Sequence, residues 1–202
     1  MKNSSTIINN SKYIINLPKD NIGCWNKVFN NDNPIHLEIG MGKGKFILEN
    51  AIKNPNINYI GIEKFDSAIS RAIKKIDSYD LSNLKLIRCD AKELNEIFSK
   101  EIDVIYLNFS DPWPKDRHEK RRLTDKQFLK IYDDVFKDEH IIILKTDNRK
   151  FFEYSLKSLV SYGYKIDEIS LDLHKDKEDI ITTEYEEKYM NIGTIYMCVY
   201  KK

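Results

Sequence analysis

Seven short apolar runs, separated by amphipathic stretches, constrain this chain more than any other feature. Residues 35–39, 57–62, 84–88, 104–107 and 140–144 are rich in Ile, Leu and Val and too short for buried helices, so they read as strands. Between and after them, Phe46 to Lys53, Asp66 to Tyr79, Ala91 to Phe98, Thr124 to Phe136 and Phe151 to Tyr162 carry apolar residues at helical spacing. Asp66 and Thr124 are the expected N-caps of two of these helices, and Gly163 the stop of the last. Tyr164 to Leu173 and Thr194 to Tyr200 read as two closing strands with no helix between them. Strict alternation followed by a strand pair predicts a single α/β domain. Its sheet is seven-stranded and mostly parallel, with helices on both faces and an antiparallel C-terminal strand. Residues 1–32 form a leader with a short helix near Trp25 and Phe29, partly flexible, and 33–202 form the domain.

Composition narrows the class. No apolar run approaches the ~20 residues that a membrane helix needs. The three cysteines, Cys24, Cys89 and Cys198, are scattered and lack a C-x-x-C pair, which predicts reduced thiols, a cytoplasmic location and no metal site. Net charge is only +1, but it is unevenly placed. Six bases stand against three acids from Lys115 to Lys126, whereas seven acids stand against three lysines from Asp172 to Lys188. The basic run suits a polyanion; the acidic one by itself reads as a solvated face.

In an open parallel sheet, ligands bind beyond the carboxyl ends of the strands. There the first strand runs into Glu38-Ile39-Gly40-Met41-Gly42-Lys43-Gly44, a G-x-G-x-G turn rather than the G-x-G-x-x-G of a dinucleotide site. A carboxylate at Glu38 repels a pyrophosphate but suits an ammonium, which favours S-adenosylmethionine over NAD. Glu63 closes the second strand 21 residues after Gly42, where an acid accepts from ribose hydroxyls. Asp90 follows the third strand, placed either to accept from an adenine amine or to cap the next helix.

The fourth strand delivers Asn108-Phe109-Ser110-Asp111-Pro112-Trp113-Pro114-Lys115, followed by Asp116-Arg117-His118-Glu119-Lys120-Arg121-Arg122. Two prolines in three residues stiffen the backbone and remove two amide donors. A rigid loop bearing a carboxylate and an indole suits a nucleobase, although Trp113 is expected to pack beneath the loop more readily than to stack on a base.

On these residues, together with Tyr59 to Glu63, Lys145-Thr146-Asp147-Asn148 and Thr183-Glu184-Tyr185-Glu186-Glu187-Lys188-Tyr189, the chain resembles the bacterial-type tRNA (guanine-N7)-methyltransferases. These are Rossmann-like enzymes, and the likeness runs from about Trp25 to Tyr200. The resemblance implies methyl transfer from S-adenosylmethionine to N7 of the variable-loop guanine, position 46, of tRNA, without a metal. It implies cofactor contacts from Glu38, Glu63, Asp90 and Asp111 along the Gly40, Gly42 and Gly44 turn, with Asp111 catalytic. Substrate contacts fall to Lys115, Asp147, Thr183, Glu184, Tyr185 and Glu186, and RNA contacts to Arg117, His118, Lys120, Arg121 and Arg122. A monomer and a homodimer are both compatible with it. The leader departs from the family in being Asn/Ser/Ile-rich rather than basic.

The chemistry is coherent without the family name. Guanine N7 offers an in-plane lone pair and has no proton to lose, so positioning and electrostatics suffice. An adenine amino-group methyltransferase is the competing enzyme reading, since its motif also sets an acid or amide before prolines and an aromatic. A non-catalytic RNA-binding protein on the same fold is the competing reading of another class. The Pro-Lys ending and basic run count against the first, and the intact glycine turn and strand-end acids against the second.

Overall fold

In a computed structural model, residues 4–202 are described, and they form one seven-stranded sheet with helices on both faces. Strands β1 (Ile35–Ile39), β2 (Asn58–Glu63), β3 (Leu84–Arg88), β4 (Ile102–Asn108) and β5 (Phe136–Thr146) are mutually parallel. Strands β6 (Lys165–Ser170) and β7 (Tyr196–Lys201) close the edge, β7 lying antiparallel between β5 and β6. The order β3-β2-β1-β4-β5-β7-β6 reverses between β1 and β4, which opens a crevice beyond their carboxyl ends.

One face is covered by α1 (Ser4–Asn10), α3 (Lys45–Lys53) and α4 (Asp66–Ile76). Helix α4 holds because Ile69, Ala72, Ile73 and Ile76 form one fully buried stripe. Each isoleucine there contributes roughly 1.5–3 kcal/mol relative to exposure. The other face carries α2 (Trp25–Phe29), α5 (Lys126–Val135) and α6 (Arg149–Tyr162), packed through Trp25, Phe128, Leu129, Tyr132, Phe151 and Phe152. The leader also packs on the first face: Tyr13 is buried with α3 and α4, and Ile14 bridges to Leu86 of β3.

Four local expectations are corrected. Asp66 does not cap α4; Phe65 occupies that position, and the Asp66 carboxylate pairs with Arg88 at 3.0 Å. Helix α5 is capped by Asp125, which accepts from the Gln127 amide, because Thr124 is buried against Ser155 instead. The stretch from Ala91 is a 3₁₀ turn ending at Glu96. Between β6 and β7 lie two helices, α7 (Leu173–Asp176) and α8 (Glu184–Tyr189). Leu173 of α7, with Ile180 and Met190 from the segments flanking α8, packs on Met197 of β7 and buries it. Helices of four and six residues are too short to show a periodic pattern.

Candidate active site

The carboxyl edge of the sheet collects the chemistry in spatial order: Asp90 beyond β3, Glu63 ending β2, Glu38 on β1 with the glycine turn after it, Asn108 ending β4 with Ser110 and Asp111 beyond, and Lys145 on β5 with Asp147 just past its end. A cavity of about 690 Å³ opens there, lined by Gly40, Glu63, Asp90, Asn108, Ser110, Asp111, Trp113 and Arg121 among others.

The turn after β1 depends on left-handed backbone. Gly40 has φ 77°, and Gly44 has φ 75° with a pro-Cβ position only 3.0 Å from Ala72 Cβ, so a side chain at Gly44 would be strained in its backbone and crowd α4. Glu63 ties the turn down: one oxygen accepts from the Gly42 amide at 3.2 Å, the other from the Lys64 and Phe65 amides at 2.8 and 2.9 Å. Asp90 caps the 3₁₀ turn in a reciprocal box with Glu93, and also lines the cavity. The capping role expected of Asp90 is therefore observed.

Glu38 lies just behind the cavity wall, 2% exposed. Its Oε1 accepts from Asn108 Nδ2 at 2.9 Å, while Oε2 has no partner among the described residues. Burial pushes this carboxyl up to about 7, against the pull of Asn108 and the Lys145 ammonium. Asn108 Oδ1 and Ser110 Oγ are buried without partners as well. A buried unpartnered oxygen is costly, and these oxygens lack a donor group such as an ammonium. That set of oxygens fits the ammonium of an amino-acid group such as that of S-adenosylmethionine, and Glu63 and Asp90 line the same cavity.

The β4 loop is held in an unusual conformation. Phe109 and Trp113 have φ 51° and 41°, values that bulky side chains rarely adopt. Each costs roughly 1–2 kcal/mol. Trp113 is half-buried and packs against its own loop segment while lining the cavity, with the Arg121 guanidinium 4.9 Å from its ring centre and His118 edge-on to it. Lys115, Arg117, Lys120 and Arg121 are exposed. Arg122 is not. It is 9% exposed, with Nε donating to Pro112 O and Nη2 to Trp113 O, both at 3.0 Å. Alone among the arginines and lysines of the run Lys115 to Arg122, it spends its guanidinium on the loop.

The acidic segment resolves similarly. Glu186 is fully buried, accepting from Lys145 Nζ at 2.6 Å and from the Thr183 amide at 3.2 Å, with His174 Nε2 3.1 Å from its other oxygen. Burial lowers the Lys145 ammonium, and Glu186 draws it back up. Glu184 pairs with Lys75 and lies 3.4 Å from the first amide of α3, where a carboxylate complements the helix dipole. Thr183 caps α8. Glu186 is wholly paired inside the fold, whereas Glu184 keeps part of its side chain exposed. Tyr185 and Asp147 do remain exposed, joined by a 2.8 Å hydrogen bond, with Tyr185 5.0 Å from the ring of Phe109 on the cavity wall.

Residues 32–199 match a family model described as a putative methyltransferase. A tRNA (guanine-N(7)-)-methyltransferase of Geobacillus sp. (strain WCH70) is 53% identical over 94% of this chain and 88% of its own length. One of the same name from Bacillus subtilis (strain 168) is 52% identical over 91% of this chain and 87% of its own. The chain belongs to this family of tRNA (guanine-N7)-methyltransferases. Among solved structures, an antibiotic-related methyltransferase superposes with TM-score 0.71 at 21% identity, covering 93% of this chain and 96% of that one. The 16S rRNA methyltransferase KamB superposes with TM-score 0.65 at 13% identity, covering 88% and 91%. Both share the fold alone.

Within the methyltransferase site, sequence reasoning missed Asn108, Ser110, Lys145 and His174. A lysine at the end of a buried apolar strand was a usable signal for Lys145, since a charge there needs a partner. Nothing local marked His174, whose partner Glu186 lies across the α7–α8 segment.

Proposed function

We propose that this protein transfers a methyl group from S-adenosylmethionine to N7 of the guanine at position 46, in the variable loop of tRNA, in the cytoplasm. One observation carries the reading: a single cavity at the β1/β4 reversal is walled by Glu63, Asp90 and Asp111, with the unpartnered Glu38 oxygen directly behind it. Family membership supplies the substrate class.

S-adenosylmethionine, when bound, supplies an electrophilic methyl on a positively charged sulfur. Glu38 with Asn108 and Ser110 would hold its ammonium, Glu63 its ribose and Asp90 its adenine. The protein's remaining work is positional and electrostatic. Positive charge develops on the purine as N7 is alkylated, and the exposed Asp111 carboxylate on the cavity wall opposes it, favouring the transition state over neutral bound guanine. Asp147, oriented by the Tyr185 hydroxyl one ring away from Phe109, accepts from the N1–H and exocyclic amine that distinguish guanine from adenine. N7 lies in the major-groove edge, so the base must leave its stack to reach this edge of the sheet. Lys115, Arg117, Lys120 and Arg121, all exposed, take phosphates. His118, half-buried against Trp113, adds a loop contact.

Transfer of labelled methyl to unmodified tRNA, followed by nucleoside analysis, tests this reading. Label recovered as 7-methylguanosine, and lost when guanine 46 is replaced by adenine, is the expected result. Label in an exocyclic amine would overturn the reaction assigned; label retained in the substituted transcript would overturn the position.

A further inference from the structure

Arg121 and Arg122 are neighbours in sequence but face opposite ways. Arg121 is exposed over the Trp113 ring, while Arg122 turns inward between the β4 loop and α6. We infer that Arg122 is a positioning residue for methyl transfer, setting the loop that carries Asp111, and that it contributes to turnover rather than to RNA affinity.

The backbone explains why such a brace is needed. Pro112 and Pro114 have no amide hydrogen, so the loop cannot be closed by ordinary backbone pairing there. Trp113 between them is left-handed, which turns the Pro112 and Trp113 carbonyls toward a common donor. A guanidinium is a planar fork of donors and reaches both at 3.0 Å. Its other face lies 4.2 Å from the Tyr154 ring centre, and the Tyr154 hydroxyl donates to Asp125, the cap of α5. Asp125 N in turn donates to Arg122 O at 2.9 Å. One closed circuit therefore ties the two peptides that flank Trp113, beginning one residue after Asp111, to the rigid helices α5 and α6. A lysine has the charge but is a point donor, and it cannot satisfy the two carbonyls in the same way.

The inference rests on the catalytic reading of Asp111, and the experiment separates the two. Arg122→Met, which removes the charge, and Arg122→Lys, which keeps it, are compared with Asp111→Asn and with Arg121→Ala as a phosphate-contact reference. For both Arg122 variants the expected result is a fall of about 10- to 100-fold in kcat at saturating tRNA and donor, the cost of a small misplacement of the reacting groups. The slope of log K for tRNA against log salt should be unchanged in Arg122→Met and lowered by roughly one unit in Arg121→Ala. Emission from Trp113, read over the constant background of fully buried Trp25, should shift in both Arg122 variants. Should Arg122→Met prove unfoldable, Arg122→Lys and Tyr154→Leu carry the test through kcat and Trp113 emission. Wild-type kcat in Arg122→Lys, or a one-unit fall of slope in Arg122→Met, overturns the inference. Wild-type kcat in Asp111→Asn overturns the reading beneath it instead.

Discussion

Glu38→Gln should stabilise the ligand-free protein above neutral pH while crippling cofactor binding. The carboxyl is 2% exposed, one of its oxygens has no partner, and burial lifts it from an ordinary 4.5 to about 7. Because the folded value lies above the unfolded one, the folded state binds more protons between these limits. Stability from this group is therefore full below about pH 4.5 and declines as pH rises through 7. At roughly 1.36 kcal/mol per unit, the ionised side chain costs on the order of 3 kcal/mol above pH 7. Glutamine keeps the Asn108 contact through its carbonyl and removes the charge. Thermal denaturation at pH 8 should then show a rise of roughly 6–12 °C for a chain of this size. Titration calorimetry with S-adenosylmethionine should show wild-type affinity climbing with pH up to about 7, and a weak, pH-independent isotherm for the variant. A variant that melts lower than wild type at pH 8, yet binds the donor normally, would refute both the burial cost and the ammonium contact.

His36, on the same strand, is linked in the opposite sense: burial lowers it to about 4, so it withdraws stability as pH falls below about 6.5. The two windows overlap, and His36→Gln should unmask a protein whose stability rises as pH drops from 7 to 5, measured by urea denaturation; a flat profile would contradict the compensation. Asp111→Asn should lower turnover by about 10²–10³-fold with little change in donor affinity, read from single-turnover transfer and calorimetry; equal losses in both would make Asp111 a cofactor ligand only. Lys145→Met strands the fully buried Glu186 and should cost about 3–5 kcal/mol in denaturant unfolding, most of it recovered in Lys145→Met with Glu186→Leu. A loss below about 1 kcal/mol would mean that His174 alone compensates Glu186.

The pairing of the acidic segment with lysines explains why a locally negative stretch is compatible with the RNA contacts proposed for the basic run. Glu184, Glu186 and Glu187 meet Lys75, Lys145 and Lys45, so much of its charge is neutralised within the fold. The basic run keeps its charge outward except at Arg122.

Periodicity and spacing alone determined the seven strands, the parallel sheet, the glycine turn and the acids at the strand tips, because each is written within a window of a few residues. Short helices such as α7 and α8, and the 3₁₀ turn after Asp90, lie below the length at which a repeat can be seen. What a charged side chain faces was decided only by tertiary structure. Arg121 and Arg122 are identical in type and adjacent in sequence, yet one meets solvent and the other two carbonyls ten and nine residues back along the chain. Glu186 carries the same carboxylate as Asp111, but a lysine from β5 and a histidine from α7 surround it. The hydrogen-bond partners of a polar group are set by folding, and burial then fixes whether that group braces the protein or meets its substrate.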